Sequence, residues 1–436
     1  MHKITLFFLF AFTLNGYAQQ SLTVTCSEIN YNSHPTKASG NWLELHNFGT
    51  TEINLSNFRL QEEGSLTYYN LPNTAVIPAG GYLVLSDDIT QFQGIFPTVT
   101  NVVGPTGITL GNNGDTVLLL NSTGAEVLRI GYLDNLPWPQ CADGAGRTLE
   151  NRNPETTSNL LDPANWRDGC MFGSPGVAYT PCNEPLFVNE INYRSSDFAD
   201  AGDWIELWNR SGQDINMSGW QVRDRNDTLR YTIPNGISIK KDSFLVIYSD
   251  LFLFSDVHPG AAPNKTGPFE FGLSGNGDLI RLFDFNQDIV LSMFYNDAAP
   301  WPEEPDGQGP TLELRAPFTD LNTPANWASS CNYGTPGRKN SPCSSDTDET
   351  VLAPAIDISP NPAREVLTVQ VAEYSAEQWQ LWDLNGSLVR EGRVGTGQNT
   401  WQISTATLPA GMYVLHIRGD RWVQSRKVTI SPALAP

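Results

Sequence analysis

The sequence predicts an all-β protein, two antiparallel β-sandwiches in tandem with a smaller β-sandwich behind them. Three observations predict it. The chain has 436 residues, and since domains run roughly 100–200 residues, about three cores are required. Charged residues make up only 17% while glycine, proline and aromatics are plentiful, a balance that favours short strands joined by turns over helices. Most telling is a duplication: "PANWRDGCMFGSPG" at 163–176 returns as "PANWASSCNYGTPG" at 324–337.

The duplication reaches far beyond that phrase. "SEINYNS" (27–33) pairs with "NEINYRS" (189–195), and "GNWLELHNFGTTEINLSNFRL" (40–60) with "GDWIELWNRSGQDINMSGWQV" (202–222). "GNNGDTVLLLN" (111–121) pairs with "SGNGDLIRLFD" (274–284), and "LPWP" (136–139) with "APWP" (299–302). Two copies of one module, roughly 160 residues each, therefore occupy 22–182 and 183–343, and a period so much longer than a solenoid repeat gives each its own core. In the second copy "DWIELWN" sets Trp204, Glu206 and Trp208 on one side and Ile205 and Leu207 on the other, the period-2 pattern of a strand buried on one face. "SFLVIYS" (243–249) and "GDLIRLFDF" (277–285) read as further strands, the second entered through the turn Asn276-Gly277-Asp278. No comparable helical stretch is predicted. Many short strands around one core of this size point to an immunoglobulin-like sandwich.

The N-terminus "MHKITLFFLFAFTLNGYAQQ" carries Lys3, an apolar run from Ile4 to Leu14 and the small-residue site Gly16-Tyr17-Ala18, which predicts a signal peptide over 1–18. No other run approaches the roughly 20 apolar residues of a membrane-spanning helix, so no transmembrane segment is expected. A net charge of −21 with no dense Lys/Arg run argues against nucleic acid as a partner and leaves polysaccharides, proteins and divalent cations open.

Export sends the cysteines to an oxidising compartment. Cys170 and Cys182 have the same spacing as Cys331 and Cys343, so each pair is read as a disulfide tying the exit of a module back to its body. Closing such a loop is worth on the order of 3 kcal/mol. Cys26 and Cys141 have no counterparts in the second copy, and by elimination a third bond is expected between them.

The order Asn189-Glu190-Ile191, Asp203 to Leu207, Ser218-Gly219-Trp220, Asn276 to Asp278 and Thr335-Pro336-Gly337 resembles the lamin-tail domain, an immunoglobulin-like sandwich also found in bacterial surface and secreted proteins. The first copy departs from it with Ser27, Asn41 and Ser56-Asn57-Phe58. The resemblance implies a binding or scaffolding module without a shared active site. The tail is different. Pro360-Asn361-Pro362 before a strand, a hairpin turn with Asp383 and Gly386, Gly411 before Tyr413, and a closing strand with Lys427 resemble the C-terminal sorting domain of the type IX secretion system, spanning 355–431. That resemblance implies a Gram-negative bacterium, passage through the periplasm, and handling by the type IX machinery and its sorting protease. The product would be secreted or held on the outer cell surface. The polar linker at 344–354, "SSDTDETVLAP", suits cleavage.

Candidate chemistry is sparse. Glu190 and Glu206 lie on what the pattern makes neighbouring strands, as a glycoside hydrolase requires of its two carboxylates. Glu28 and Glu44 take the same places in the first copy, which speaks for a demand of the fold such as accepting backbone N–H groups at a sheet edge. Asp197, Asp200 and Asp203 have oxygen ligands at a spacing that suits calcium, although the first copy has no carboxylate there and a solvated turn is the simpler reading. Trp204 and Trp208 with Glu206 between them, and Trp42 with Glu44 in the first copy, are the candidates for a sugar-stacking platform. The five histidines are scattered and keep no zinc-ligand company, and neither a Gly-x-Ser-x-Gly elbow nor a phosphate loop is present. The expectation is an exported, non-catalytic protein without cofactor that displays loops to a protein or glycan ligand. The alternative is a carbohydrate-binding accessory or polysaccharide-active hydrolase.

Overall fold

The computed structural model describes residues 22–156, 158–196, 199–315, 320–331, 333–340, 355–372, 376–383, 388–395, 397–419 and 423–431. The chain divides between residues 343 and 344 into two compact units.

The first unit holds both copies, and each copy folds the same way. The first comprises β1 (Val24–Asn30), β2 (Trp42–Asn47), β3 (Ile53–Asn54), β4 (Arg59–Glu62), β5 (Tyr68–Asn70), β6 (Val76–Ile77), β7 (Tyr82–Ser86), α1 (Ile89–Ile95), β8 (Val102–Val103), β9 (Gly114–Leu120), β10 (Glu126–Leu133), β11 (Leu149–Asn151) and β12 (Trp166–Asp168). The second repeats them as β13 (Leu186–Asn192), β14 (Trp204–Asn209), β15 (Ile215–Asn216), β16 (Gln221–Arg223), β17 (Tyr231–Thr232), β18 (Ser238–Ile239), β19 (Phe244–Tyr248), α2 (Leu251–Val257), β20 (Lys265–Thr266), β21 (Asp278–Phe283), β22 (Ile289–Tyr295), β23 (Leu312–Leu314) and β24 (Trp327–Ser329). Strand order is β12-β11-β1-β2-β7-β8 facing β10-β9-β4-β5 in the first copy. The second has β24-β23-β13-β14-β19-β20 facing β17-β16-β21-β22, the same order strand for strand. These are the tandem immunoglobulin-like sandwiches that the repeat predicts.

The alternation in β14 works as read on its inner side, where Ile205 and Leu207 enter the core with Val188, Ile191, Leu245 and Ile280. Leu43 and Leu45 of β2 do the same with Ile29, Leu85 and Leu119. The outer side departs from the expectation, because each module carries a helix there. Asp88 and Asp250 cap the two helices by accepting backbone N–H groups of the first turn. Phe92 and Phe254 then meet Trp42 and Trp204 edge-on, with ring centroids 5.6 and 5.8 Å apart. Seven residues are too few for a 3.6-residue periodicity to stand out, so packing rather than pattern makes these helices. A change between the copies that looks disruptive is harmless for a local reason: Gly219 and its counterpart Asn57 both adopt left-handed backbone, at φ 76° and 64°, which glycine and asparagine tolerate best.

The two modules also press against each other. Cys141 and Ala145 of the first share a small apolar cluster with Leu279 and Phe294 of the second. Beside it the buried Arg147 donates to Ser292 O and Gly169 O, each at 2.9 Å, and its guanidinium lies 2.7 Å from the Glu184 carboxylate in the chain between the modules. Lys37 reaches Asp288 across the same junction at 3.1 Å. The second copy has Glu304, Gln308 and Pro310 where the first has Cys141, Ala145 and Arg147, so the residues that differ between the copies here are those of the joint.

The second unit is a two-layer sandwich of seven strands: β25 (Ile356–Ser359), β26 (Val366–Val371), β27 (Ala376–Asp383), β28 (Leu388–Arg393), β29 (Thr400–Ser404), β30 (Gly411–Gly419) and β31 (Val423–Ile430). One sheet runs β25-β26-β29 and the other β28-β27-β30-β31.

Candidate functional site

Three glutamates stand abreast on the outer face of each six-stranded sheet. Antiparallel register sets Glu28 of β1 opposite Glu44 of β2 on one side and Glu150 of β11 on the other. In the second module Glu190 of β13 faces Glu206 of β14 and Glu313 of β23 in the same way. None of the six is more than 3% exposed.

What covers them is the phrase that the sequence repeats. In the first module Ser174 N–H donates to both oxygens of Glu28, at 3.0 and 3.2 Å, and Gly176 N–H donates to Glu44. In the second, Thr335 N–H donates to Glu190 at 2.9 and 3.2 Å, and Gly337 N–H to Glu206. Hydroxyls and amides complete the ring: Thr148 to Glu28 at 2.6 Å, Ser27 to Glu44 at 2.7 Å, Asn189 to Glu206 at 2.7 Å and Thr335 to Glu313 at 2.8 Å. Gly173 and Gly334 have positive φ, and a Cβ on either would overlap the carboxylate below. The glycine of the repeated phrase is therefore required twice over. Asn340 then clips the end of the loop by donating to Asn189 O and Leu314 O, at 2.9 and 2.8 Å.

Burial lifts the acidity constants of all six carboxyls. Glu28 and Glu313 are pushed up to about 7 and Glu206 to about 8, with loss of hydration the first cause in each case. Glu44, Glu150 and Glu190 rise for the same reason, with repulsion from their neighbours behind it. Oε2 of Glu150 has no donor among the described residues, and Glu28 beside it is another acceptor, so a shared proton best satisfies the pair. The arrangement is a proton-holding clamp on a backbone loop. Under that loop the six carboxylates are buried among the described residues rather than presented to a sugar.

The disulfide Cys170–Cys182, with Cα atoms 5.4 Å apart, brackets the first clamped loop. Cys331 is disulfide-bonded, and Cys343 lies outside the described residues. The expected Cys26–Cys141 bond is corrected: both thiols are free and buried. Cys26 belongs to the core of the first module and Cys141 to the joint with the second, 3.4 Å from Asn322 Oδ1, so the two are held in different apolar clusters.

The sugar platform is corrected as well. Trp204, Glu206, Trp42 and Glu44 are all buried, the tryptophans under the helices and the glutamates under the loops, while Trp208 is half-buried and stacks on Phe244 at 5.8 Å. Of the calcium candidates, Asp197 lies outside the described residues. Asp200 accepts the Gly202 N–H at 2.9 Å. Asp203 accepts that of Leu273 at 2.8 Å, and burial lifts its carboxyl to about 6. Among the described residues no three or more His, Cys, Asp or Glu side chains are grouped to hold a metal. The paired glutamates do accept backbone N–H groups, on the face of the sheet rather than at its edge. Glu150 and Glu313 escaped sequence reasoning, although "TLENR" (148–152) and "TLELR" (311–315) repeat around them.

In the tail, Asn361 ties the start of the sandwich to its last strand, donating to Lys427 O at 2.9 Å and accepting from Thr429 N at 2.8 Å. Tyr413 donates to Pro409 O at 2.8 Å and stands opposite Asp383, while Pro360 and Pro362 flank Asn361 and Gly411 opens β30. Gly386 lies outside the described residues.

Residues 18–134 and 180–297 both match the model of the Lamin Tail Domain, more than half of the chain between them. The chain belongs to the lamin-tail-domain family. Its tail, residues 357–431, matches the secretion system C-terminal sorting domain, which marks this lamin-tail protein for type IX export to the outer surface or the medium. Neither lamin-tail match extends to Glu150, Glu313 or the clamped loops. No helix among the described residues is long and apolar enough to cross a membrane, and no curated protein matches the chain. Among solved structures, dimeric latent PorU from Porphyromonas gingivalis is similar at 10% identity over 95% of this chain and 34% of its own, with a TM-score of 0.16. The BSP domain of a biofilm associated protein gives 11%, 94%, 81% and 0.16. The exo-chitosanase CsxA of Amycolatopsis orientalis gives 14%, 56%, 26% and 0.16. The lamin-tail chain thus spans about a third of PorU, and TM-scores this low carry no argument.

Proposed function

We propose that this protein is a non-catalytic surface or secreted factor that presents two lamin-tail modules, fixed to each other, to a protein or glycan ligand. The observation that carries the reading is where the shared residues go. The three glutamates common to both copies are consumed in clamping a loop, so this part of the repeat preserves a scaffold, and recognition falls to the outer loops and the junction between copies. The sorting domain serves as address, read by the type IX machinery and cleaved by its protease in the linker.

Fractionation of cells expressing the full chain tests the routing. The expected product is outside the outer membrane, with mature ends near Gln19 and within 344–355, and deletion of 355–431 leaves it in the periplasm. Presentation is tested by cross-linking the exported protein on intact cells. A lamin-tail product found only as an uncross-linked species, beside any measurable hydrolysis of surface polysaccharide, would overturn the reading.

A further inference from the structure

The joint between the modules leaves an open cleft of about 180 Å³ beside the Cys141 cluster. Asp134, Gln140 and Asp143 line it from the first module, Arg225, Leu279 and Arg281 from the second. We propose that this cleft binds an α-amino-acid zwitterion, or the equivalent pair of charges on one small solute. The proposal rests on the reading of the tandem as a binding module and names where it binds and what chemistry it takes.

Charge placement is the first argument. One wall is acidic, the other basic, and the two do not meet: neither Asp134, Asp143 nor Arg225 is in an ion pair among the described residues. Asp143 accepts a single hydrogen bond, 2.7 Å from Asn32 Nδ2. The Arg225 guanidinium lies over the ring of Phe294, 5.8 Å from its centroid. Arg281 is different, held by Asp224 O and by Asp227 at 2.9 Å, so it stiffens its wall while Arg225 is free to engage a carboxylate. Opposite charges that face a partly enclosed cleft and fail to pair favour a solute that carries both signs.

Comparison of the copies supplies the second. Asp306 of the second module, the counterpart of Asp143, is neutralised within its own module by Arg194 at 2.9 Å. In the first module the place of Arg194 is taken by Asn32, so Asp143 lines the cleft with a neutral hydrogen-bond partner in place of an arginine. Likewise Arg225 and Arg281 stand where the first copy has Glu63 and Leu118. The second module has thus departed from its twin at both arginines of the basic wall and the first at Asn32, while Asp134 and Asp143 of the acidic wall recur in the second copy as Asp297 and Asp306. Clefts between modules are a common place for small-molecule sites, and the Leu279 floor suits a hydrogen or a short aliphatic side chain.

Titration calorimetry of the exported protein with glycine and with valine is the test, with N-acetylvaline and valinamide as probes that lack one charge and glucose as a neutral polar probe. Saturable binding of a zwitterion is expected, at least tenfold weaker for either single-charge probe and absent for glucose. Arg225→Ala and Asp143→Asn should each weaken it at least tenfold without moving the melting temperature, both side chains being at the surface of the joint. No binding of glycine or valine, equal binding of N-acetylvaline, or unchanged affinity in both variants would overturn the proposal. If cross-linked partners on cells persist while the titration is flat, the cleft alone falls and the presenting role stands.

Discussion

Substituting Glu206→Gln tests the clamp, because it separates the hydrogen bonds of the carboxyl from its ionisation. Glu206 is fully buried, accepts from Asn189 and Gly337, and has its carboxyl raised by burial from 4.5 to about 8. The folded state therefore holds a proton that the unfolded chain releases above about pH 4.5. Stability is fully present below that pH and falls as pH rises towards 8, where the carboxyl ionises in both states. The loss is on the order of 5 kcal/mol if Glu206 titrated alone, and the three glutamates share it because they titrate together. Glutamine has no proton to lose, but its amide cannot accept one of the two N–H groups, a cost of about 1–3 kcal/mol at every pH. Urea unfolding at pH 5, 6.5 and 8 should show the variant less stable than the parent at pH 5 and more stable at pH 8. Parallel stability–pH curves, or a parent that gains stability from pH 5 to 8, would refute the reasoning.

Gly334→Ala puts a methyl group into the Glu190 carboxylate at a backbone position of φ 95°, so the melting temperature should fall by the equivalent of about 2 kcal/mol or more, with Gly236→Ala, whose added methyl group meets nothing, as the reference for φ alone. Arg147→Ala leaves Glu184 buried and uncompensated at the joint, a loss of about 3–5 kcal/mol, and should split a single calorimetric transition of the tandem into two. Serine at both Cys170 and Cys182 should cost on the order of 3 kcal/mol and speed proteolysis in the 170–182 segment, as mass spectrometry of the fragments would report.

Much of the architecture could be read in the residues because the repeat supplies an internal comparison. Ile205 and Leu207 point inward as their alternation requires, and the two modules share one strand order because they share one pattern. The helices could not be read, since Trp42 and Trp204 look the same in sequence whether a helix or water covers them. The clamp was half legible: Glu28 and Glu44 stood out as a repeated pair, but Glu150 is far along the chain and reaches Glu28 only through the register of β1 with β11. The pairing of Cys26 with Cys141 failed because elimination assumes that every cysteine needs a sulfur partner, whereas a thiol is equally at home as a small apolar group in a packed cluster.

By itself the sequence determined the sorting tail, the duplication and the all-β class, since these depend on local composition, periodicity and self-similarity. Only the tertiary structure decided that six glutamates would be buried under the repeated loop and that the copies would meet through Cys141 and Arg147. Both depend on which distant strands come together, and solvation, charge and packing at those meeting points are properties of the folded neighbourhood rather than of any one stretch of chain.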